Sequence, residues 1–360
     1  MNARISRNNL VGLDRQELEG VAQSLGKAPY RGRQLFHALY RRRERNLAAL
    51  TELDTKFRAD LAAHYEIAYP EIQGEFTSQD GSARYLLRLQ QKTSIETVYM
   101  PEEERTTLCL SSQAGCAVDC RFCFTALLGL ERNLSAGEIL GQVLAVAEAR
   151  RIPPDSRLNL VFMGMGEPLL NLAQVMRAIR IFTDPQGLSI PLRRITISTS
   201  GIVPRMRDLA RDPMRPKLAI SLNASSEPQR TELMPINRKY PLSDLMRACR
   251  EYPLRPRELL TFEYVLLGGF NDADADAVRV ADLLRGMRAK VNLIPYNPGS
   301  ELPYRPSPLE RLLAFQRLLT ERSIPAYIRI SRGQDIRAAC GQLSLEGIRH
   351  SAIHAQDGFR

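Results

Sequence analysis

The sequence predicts an α/β protein, a partial (β/α)6 barrel led by a small helical domain and a short β extension. Three observations carry this. From residue 105 onward, near-continuous apolar runs alternate with helical stretches, the pattern of parallel strands covered on both faces. Six such strand–helix units are present, fewer than the eight of a closed barrel. Ahead of them, short amphipathic helices come first and two β-rich runs follow. The expected organisation is a basic, RNA-contacting helical domain at 1–68, a linker and β extension at 69–103, the barrel at 104–345 and a tail at 346–360.

Residues 14–25 and 30–44 read as two helices, with Leu18, Val21 and Leu25 on one apolar face and Leu35, Phe36 and Leu39 on the other. A third helical stretch spans 51–65, and IAYPEIQGEF (67–76) reads as a linker. ARYLLRL and SIETVYM are strands joined by a polar turn. The barrel strands are TTLCLSS, LNLVFMGMG, RITISTS, KLAISLNA, LLTFEYVLL and KVNLIPYN, with a last strand near AYIRIS. Ser135 and Glu138 form a capping box before ILGQVLAVA, and Ser307, Pro308 and Glu310 give the same start signal before RLLAFQRLL.

Composition narrows the class. Of 360 residues, 44% are hydrophobic and 25% charged, as in ordinary globular proteins. The N-terminus shows no apolar signal-peptide core, and no apolar run reaches the roughly 18 residues that span a bilayer. Three of the six cysteines crowd together, which argues for a metal in a reducing, cytoplasmic compartment rather than a disulfide scaffold. The net charge is +10, and residues 1–60 hold 12 Lys/Arg against 7 Asp/Glu. Arg31, Arg33, Arg41, Arg42, Arg43 and Arg45 form the densest patch, suited to phosphate contact, with a solvated helix face as the alternative. Aromatic residues are only 6%, so recognition by shape and phosphate is expected over base stacking.

The chemistry concentrates at strand ends, where parallel barrels carry their sites. GMGEP (164–168), STSG (198–201), SLNA (221–224) and PYNP (295–298) end consecutive strands in small polar residues. Cys116, Cys120 and Cys123 stand in the loop after the first strand. Three thiolates so spaced hold three corners of an iron–sulfur cube and leave the fourth iron open, whereas a zinc knuckle needs a fourth ligand. Glu96 shares a strand face with Val98 and Met100; a carboxylate there has a raised pKa and suits a general base, unless it turns to water. By pattern alone Cys109 reads as core packing, Cys340 as an inert thiol and Cys249 as a helix-core residue. His37, His64, His350 and His354 are scattered and take no role.

The segments ETVYMPEEERTTLCLSSQAGCAVDCRFC, GMGEPLLN, RRITISTSG, ISLNA, LMPINRKY, NLIPYNP and RGQDIRAACGQL together resemble the RlmN/Cfr family of radical S-adenosylmethionine (SAM) RNA methyltransferases. The resemblance runs from about residue 10 to 345. It implies a radical SAM barrel in which Cys116, Cys120 and Cys123 hold a [4Fe–4S] cluster. It implies SAM contacts at Gly166 and Glu167 (methionine amino group), Ser198, Ser221, Leu222, Asn223 and Asn297; many members have His where this chain has Asn223. Cys340 would carry the methyl group, Glu96 would accept a proton, and Cys109 would resolve the intermediate through a transient disulfide with Cys340.

The implied reaction is methylation of adenine C2 in 23S rRNA and in the tRNA anticodon loop by a monomer, with two SAM per turnover and a cellular electron donor. Adenine C2 is electron-poor and does not attack a sulfonium methyl, which is why radical chemistry is required. The C8-methylating relatives, a radical SAM enzyme with a non-RNA substrate, and a non-catalytic metal-bearing RNA-binding module are the alternatives.

Overall fold

The computed structural model describes residues 7–89, 93–299 and 302–345; the tail at 346–360, with His350 and His354, lies outside the described residues. At the N-terminus, β1 (Asn8–Asn9) pairs in parallel with β2 (Tyr65–Glu66) and closes a three-helix unit. Asp14 caps α1 (Arg15–Ser24) through a capping box with Glu17. α2 (Tyr30–Phe36) is shorter than the sequence pattern indicates, because the chain widens into a single π-turn at His37–Arg41. α3 (Thr55–His64) starts at the Asp54 cap and buries Phe57 and Leu61.

The segment expected as a linker contains a strand, β3 (Glu71–Thr77). Its residues alternate exposed and half-buried, but Glu, Gln and Gly hide that period from a hydrophobicity reading. β3 pairs antiparallel with β4 (Ala83–Arg88), which pairs with β5 (Ser94–Glu102), which pairs with β6 (Arg105–Cys109). The β extension is therefore continuous with the main sheet. After β6 come a small ribbon of β7 (Gln113–Gly115) and β8 (Leu130–Asn133), then α4 (Ala136–Ala149), β9 (Leu158–Phe162) and α5 (Leu172–Thr183).

The winding continues with β10 (Ile195–Thr199), α6 (Val203–Arg211), β11 (Lys217–Ser221), α7 (Glu227–Leu233), α8 (Leu242–Glu251), β12 (Leu260–Leu266), α9 (Asp274–Leu284), β13 (Ala289–Pro295), α10 (Leu309–Glu321) and β14 (Ala326–Ile328). The strand order is β14-β13-β12-β11-β10-β9-β6-β5-β4-β3, parallel from β6 to β14. The sheet stays open, with β14 and β3 at its edges, as the shortage of strand–helix units requires. The capping box at Ser135 and Glu138 is formed. The one expected at Ser307 is not: α10 begins after Pro308, whose fixed φ sets the first turn, and Ser307 Oγ is buried without a partner.

The arginines of the basic patch find partners within the chain. Arg41 pairs with Asp155 at 2.8 Å, Arg45 with Glu148 at 3.0 Å, and Arg43 donates to the Ile152 carbonyl at 2.8 Å. These three bind the helical unit to the end of α4 and the loop beyond it. Arg33 pairs with Glu19, Arg42 with Glu52, and Arg31 donates to Gln34 and to the Glu52 carbonyl. Sequence displays the charges but not the partners the fold brings to them.

Candidate active site

The cysteine loop hangs between β7 and β8. Gly115, at φ +75°, could carry no side chain: a Cβ there would lie 1.8 Å from the Gly129 carbonyl oxygen. Cys116 N–H donates to that same carbonyl at 2.9 Å, and Cys123 N–H folds back on the Cys120 carbonyl at 3.0 Å. Arg121 N–H bonds the Leu233 carbonyl at 3.0 Å and ties the loop to α7. All three thiols line one cavity. Burial pushes the Cys116 thiol up to about 12 and raises Cys120 and Cys123, with neighbouring thiolates adding repulsion at Cys116 and Cys120.

The opposite wall comes from the C-terminal ends of β9, β10 and β11. Gly166, Glu167, Ser198, Ser221 and Asn223 all line the cavity. Gly166 sits at φ +95°, and a Cβ there would meet Gln113 Cβ at 2.5 Å. Glu167 is buried, and each of its oxygens accepts two protein hydrogen bonds, from Thr199 Oγ1 and Leu169 N–H on one and from Ser200 N–H and Oγ on the other. Burial raises its pKa, opposed by those donors. Ser198 and Ser221 hydroxyls lie 3.4 Å apart. Asn223, at φ +54°, spends its side-chain oxygen on Val265 N–H at 2.9 Å. Two expected contacts stand back from the cavity. Leu222 is fully buried, with its amide on the Glu263 carbonyl at 3.0 Å. Asn297 accepts from Gln334 at 2.9 Å and keeps a buried Nδ2 without a partner.

The remaining predicted residues converge from three directions. After β14 the chain crosses from one edge of the sheet to the β extension and carries Cys340 into the cavity wall. Cys340 is exposed there; surrounding protein and Glu263 push its thiol up to about 11, with Arg329 opposing. Cys109 ends β6, buried, raised by burial and then by the charge of Cys340, which lies within electrostatic reach. Glu96 is fully buried on β5 and is not among the residues that line the cavity; burial raises it against the opposing charge of Arg84. Cys249 is buried in α8, as its pattern indicates.

A family model described as the Radical SAM superfamily matches residues 110–281, and a ribosomal RNA large subunit methyltransferase N-terminal domain model matches 8–67. A probable dual-specificity RNA methyltransferase RlmN of Koribacter versatilis is 51% identical over 338 residues, covering 89% of this chain and 97% of the relative. The chain belongs to the RlmN family. The RlmN of Syntrophobacter fumaroxidans is 47% identical, covering 92% of this chain and 96% of the relative. A solved radical SAM methyltransferase from Sphaerobacter thermophilus superposes with a TM-score of 0.89 at 44% identity, over 93% of this chain and 99% of that one.

Membership of the radical SAM superfamily implies SAM and a four-iron cluster, and this RlmN-family chain contains groups that suit them. Arg230 is the largest fully buried side chain. One of its nitrogens donates to the Ser200 carbonyl at 2.6 Å and the Ser221 carbonyl at 3.1 Å, while Nε and Nη1 have no partner. Burial lowers its pKa to about 10, and the charge of Cys120 opposes the fall. A buried cation with unspent donors behind the cysteine loop calls for a nearby anion. Three thiolates, or a carboxylate, answer that need. Among the described residues no three acidic, His or Cys groups close on a single point as one ion would require. A cube takes its thiolates on three separate irons.

Sequence reading missed Arg230, one arginine of many in a short helix. It also missed Glu263 on β12. This carboxylate lines the cavity, is pushed up by burial, and holds Asn292 Nδ2 at 2.9 Å on β13 through one oxygen. A lone Glu inside the apolar run LLTFEYVLL was the available signal.

Proposed function

We propose that this chain methylates C2 of adenine in RNA, in 23S rRNA and in the tRNA anticodon loop, through an S-methylated Cys340. The observation that carries this reading is that Cys340 and the three cluster cysteines share one cavity with the polar strand ends. Family membership and the RNA methyltransferase names of its relatives support the substrate class.

In this reading Cys116, Cys120 and Cys123 would hold the cluster, and Gly166, Glu167, Ser198, Ser221 and Asn223 would border SAM, with Leu222 and Asn297 shaping the backbone behind. Bound there, the cluster and SAM supply a methyl group and the radical chemistry that adenine C2 demands. Cys340 takes the methyl on its sulfur and presents the one-carbon unit to a base turned out of its stack. Glu96 accepts the C2 proton as one electron leaves the adduct. Cys109 then attacks the Cys340 sulfur: an S–S bond forms, the S–C bond to the base breaks, and the released carbon takes up the proton given up by the Cys109 thiol to become the methyl group.

The test is anaerobic reconstitution with iron and sulfide, followed by SAM, reductant and rRNA or tRNA fragments, with nucleosides read by mass spectrometry. The expected product is 2-methyladenosine, lost in Cys340→Ala and in Cys116→Ala. Formation of 8-methyladenosine would reassign the position. Normal turnover by Cys340→Ala would overturn the mechanism.

A further inference from the structure

The chain that carries Cys340 is not free at either side of that residue. Arg84, on β4, and Glu96, on β5, form a buried ion pair between diagonal positions: Arg84 faces Val98 and Glu96 faces Leu86 in the strand register. Arg84 Nε also donates to the Ile336 carbonyl at 2.9 Å, before Cys340. Glu96 Oε2 accepts from the Ser344 and Leu345 amides at 2.9 and 3.3 Å, after Cys340. One buried pair thus grips the loop on both flanks of the thiol. The guanidinium carbon of Arg84 also lies over the Phe76 ring, 4.3 Å from its centroid.

This arrangement uses both oxygens of Glu96, one on Arg84 and the other on the loop amides. Cys109 pairs with Val98, next along β5 on the same face, so the grip lies beside the thiol that Cys340 must eventually meet.

We propose that Arg84 and Glu96 form a latch that holds the Cys340 loop over the cavity, and that protonation of Glu96 and docking of the loop oppose each other. The inference rests on the reading of Glu96 as proton acceptor. A carboxylate that gains one proton becomes a neutral acid. Arg84 then loses its counter-charge, and the Ser344 and Leu345 amides lose an anionic acceptor. Charge-assisted bonds are about twice as strong as neutral ones, so the loop loosens when the proton arrives. By linkage the effect is reciprocal: a docked loop keeps Glu96 ionised and ready. Arg84 is a positioning residue in this scheme. The latch would free Cys340 toward Cys109 only after the C2 proton has gone.

Hydrogen exchange read by mass spectrometry on peptides covering 333–345 tests this, in wild type, Glu96→Gln, Arg84→Lys and Arg84→Met, with peptides from β10 and β11 as the folding control. Glu96→Gln copies the protonated state without changing shape. Loss of a charged hydrogen bond corresponds to about ten- to a hundredfold faster local exchange. We expect that acceleration on both flanks of Cys340 in Glu96→Gln and Arg84→Met. Arg84→Lys keeps the charge opposite Glu96 but not the fork, so only the Ile336 flank should speed up. Wild-type exchange in Glu96→Gln and Arg84→Lys overturns the latch, whatever Arg84→Met does. Faster exchange in a Glu96→Gln protein that still methylates RNA at the normal rate would keep the latch and remove the proton-acceptor role.

Discussion

Two groups of arginine show opposite habits in this molecule. The six arginines of the helical unit look like a phosphate-binding patch in sequence, and each has a carboxylate or carbonyl partner in its own chain, although Arg43 also keeps a buried Nε without one. Arg230, which nothing in the sequence singles out, is fully buried and leaves two nitrogens unspent beside the cysteine loop. Charge count alone therefore does not distinguish the two groups. What points to a ligand is a charge already removed from water whose donors the protein has not used, because that desolvation has no return until a partner arrives.

The strongest test of this contrast is Arg230→Met. Without cofactors, removing an under-paired buried cation should leave the chain at least as stable, as replacement of buried charges often does. With cofactors the sign reverses. Losing a buried charge partner costs about 2 to 5 kcal/mol, or roughly thirty- to several-thousandfold in affinity. SAM binding by equilibrium dialysis and iron retention under chelator should fall accordingly. A large loss of cofactor-free stability with unchanged SAM affinity would make Arg230 a structural residue only.

The same contrast explains what was legible. The barrel strands could be read because covered parallel strands are apolar along their whole length, and the strand-end motifs followed from them. The cysteine loop could be read from spacing alone. β3 could not, because an edge strand of Glu, Gln and Gly has no apolar signature. Nor could the setting of Glu96. The sequence places it on a strand face with Val98 and Met100, but its partners Arg84, Ser344 and Leu345 come from another strand and from far along the chain. Leu222 and Asn297 belong to motifs that reach the site, yet Leu222, just past the end of β11, is buried in the core and Asn297 spends its side-chain oxygen on Gln334.

A smaller effect is expected at the helical unit. Arg43→Ala deletes a half-buried charged bond to the Ile152 carbonyl and should cost about 1 to 3 kcal/mol in chemical denaturation. Arg41→Ala and Arg45→Ala remove exposed pairs, each worth below about 1 kcal/mol and less at high salt. RNA affinity should keep its salt dependence in Arg41→Ala and Arg45→Ala, since a carboxylate already neutralises each of those guanidiniums. A fall of about one unit in the salt slope per arginine would show that RNA competes these pairs open, and the contrast between the two groups would fail.

The smallest expected effect concerns Asp80, which holds the start of the Cys340 loop by hydrogen bonds rather than by charge alone. Its carboxylate accepts from Gly333 N–H at 3.0 Å, Ser82 N–H at 2.8 Å and Arg332 Nε at 3.2 Å. Burial works to raise its pKa, but the Gly333 and Ser82 donors outweigh it and hold the group down to about 2. A carboxylate with a depressed folded pKa stabilises fully above its unfolded value near 4, and the contribution fades only as pH falls through about 2. The gap in melting temperature between wild type and Asp80→Asn should therefore be small, constant from neutral pH down to about 4, and closed near pH 2. It should also survive high salt, unlike the ion pairs of the helical unit, because amide donors at hydrogen-bond distance are screened far less than exposed charges. A gap that closes by pH 5, or vanishes in salt, would mean that Asp80 acts only as a surface charge.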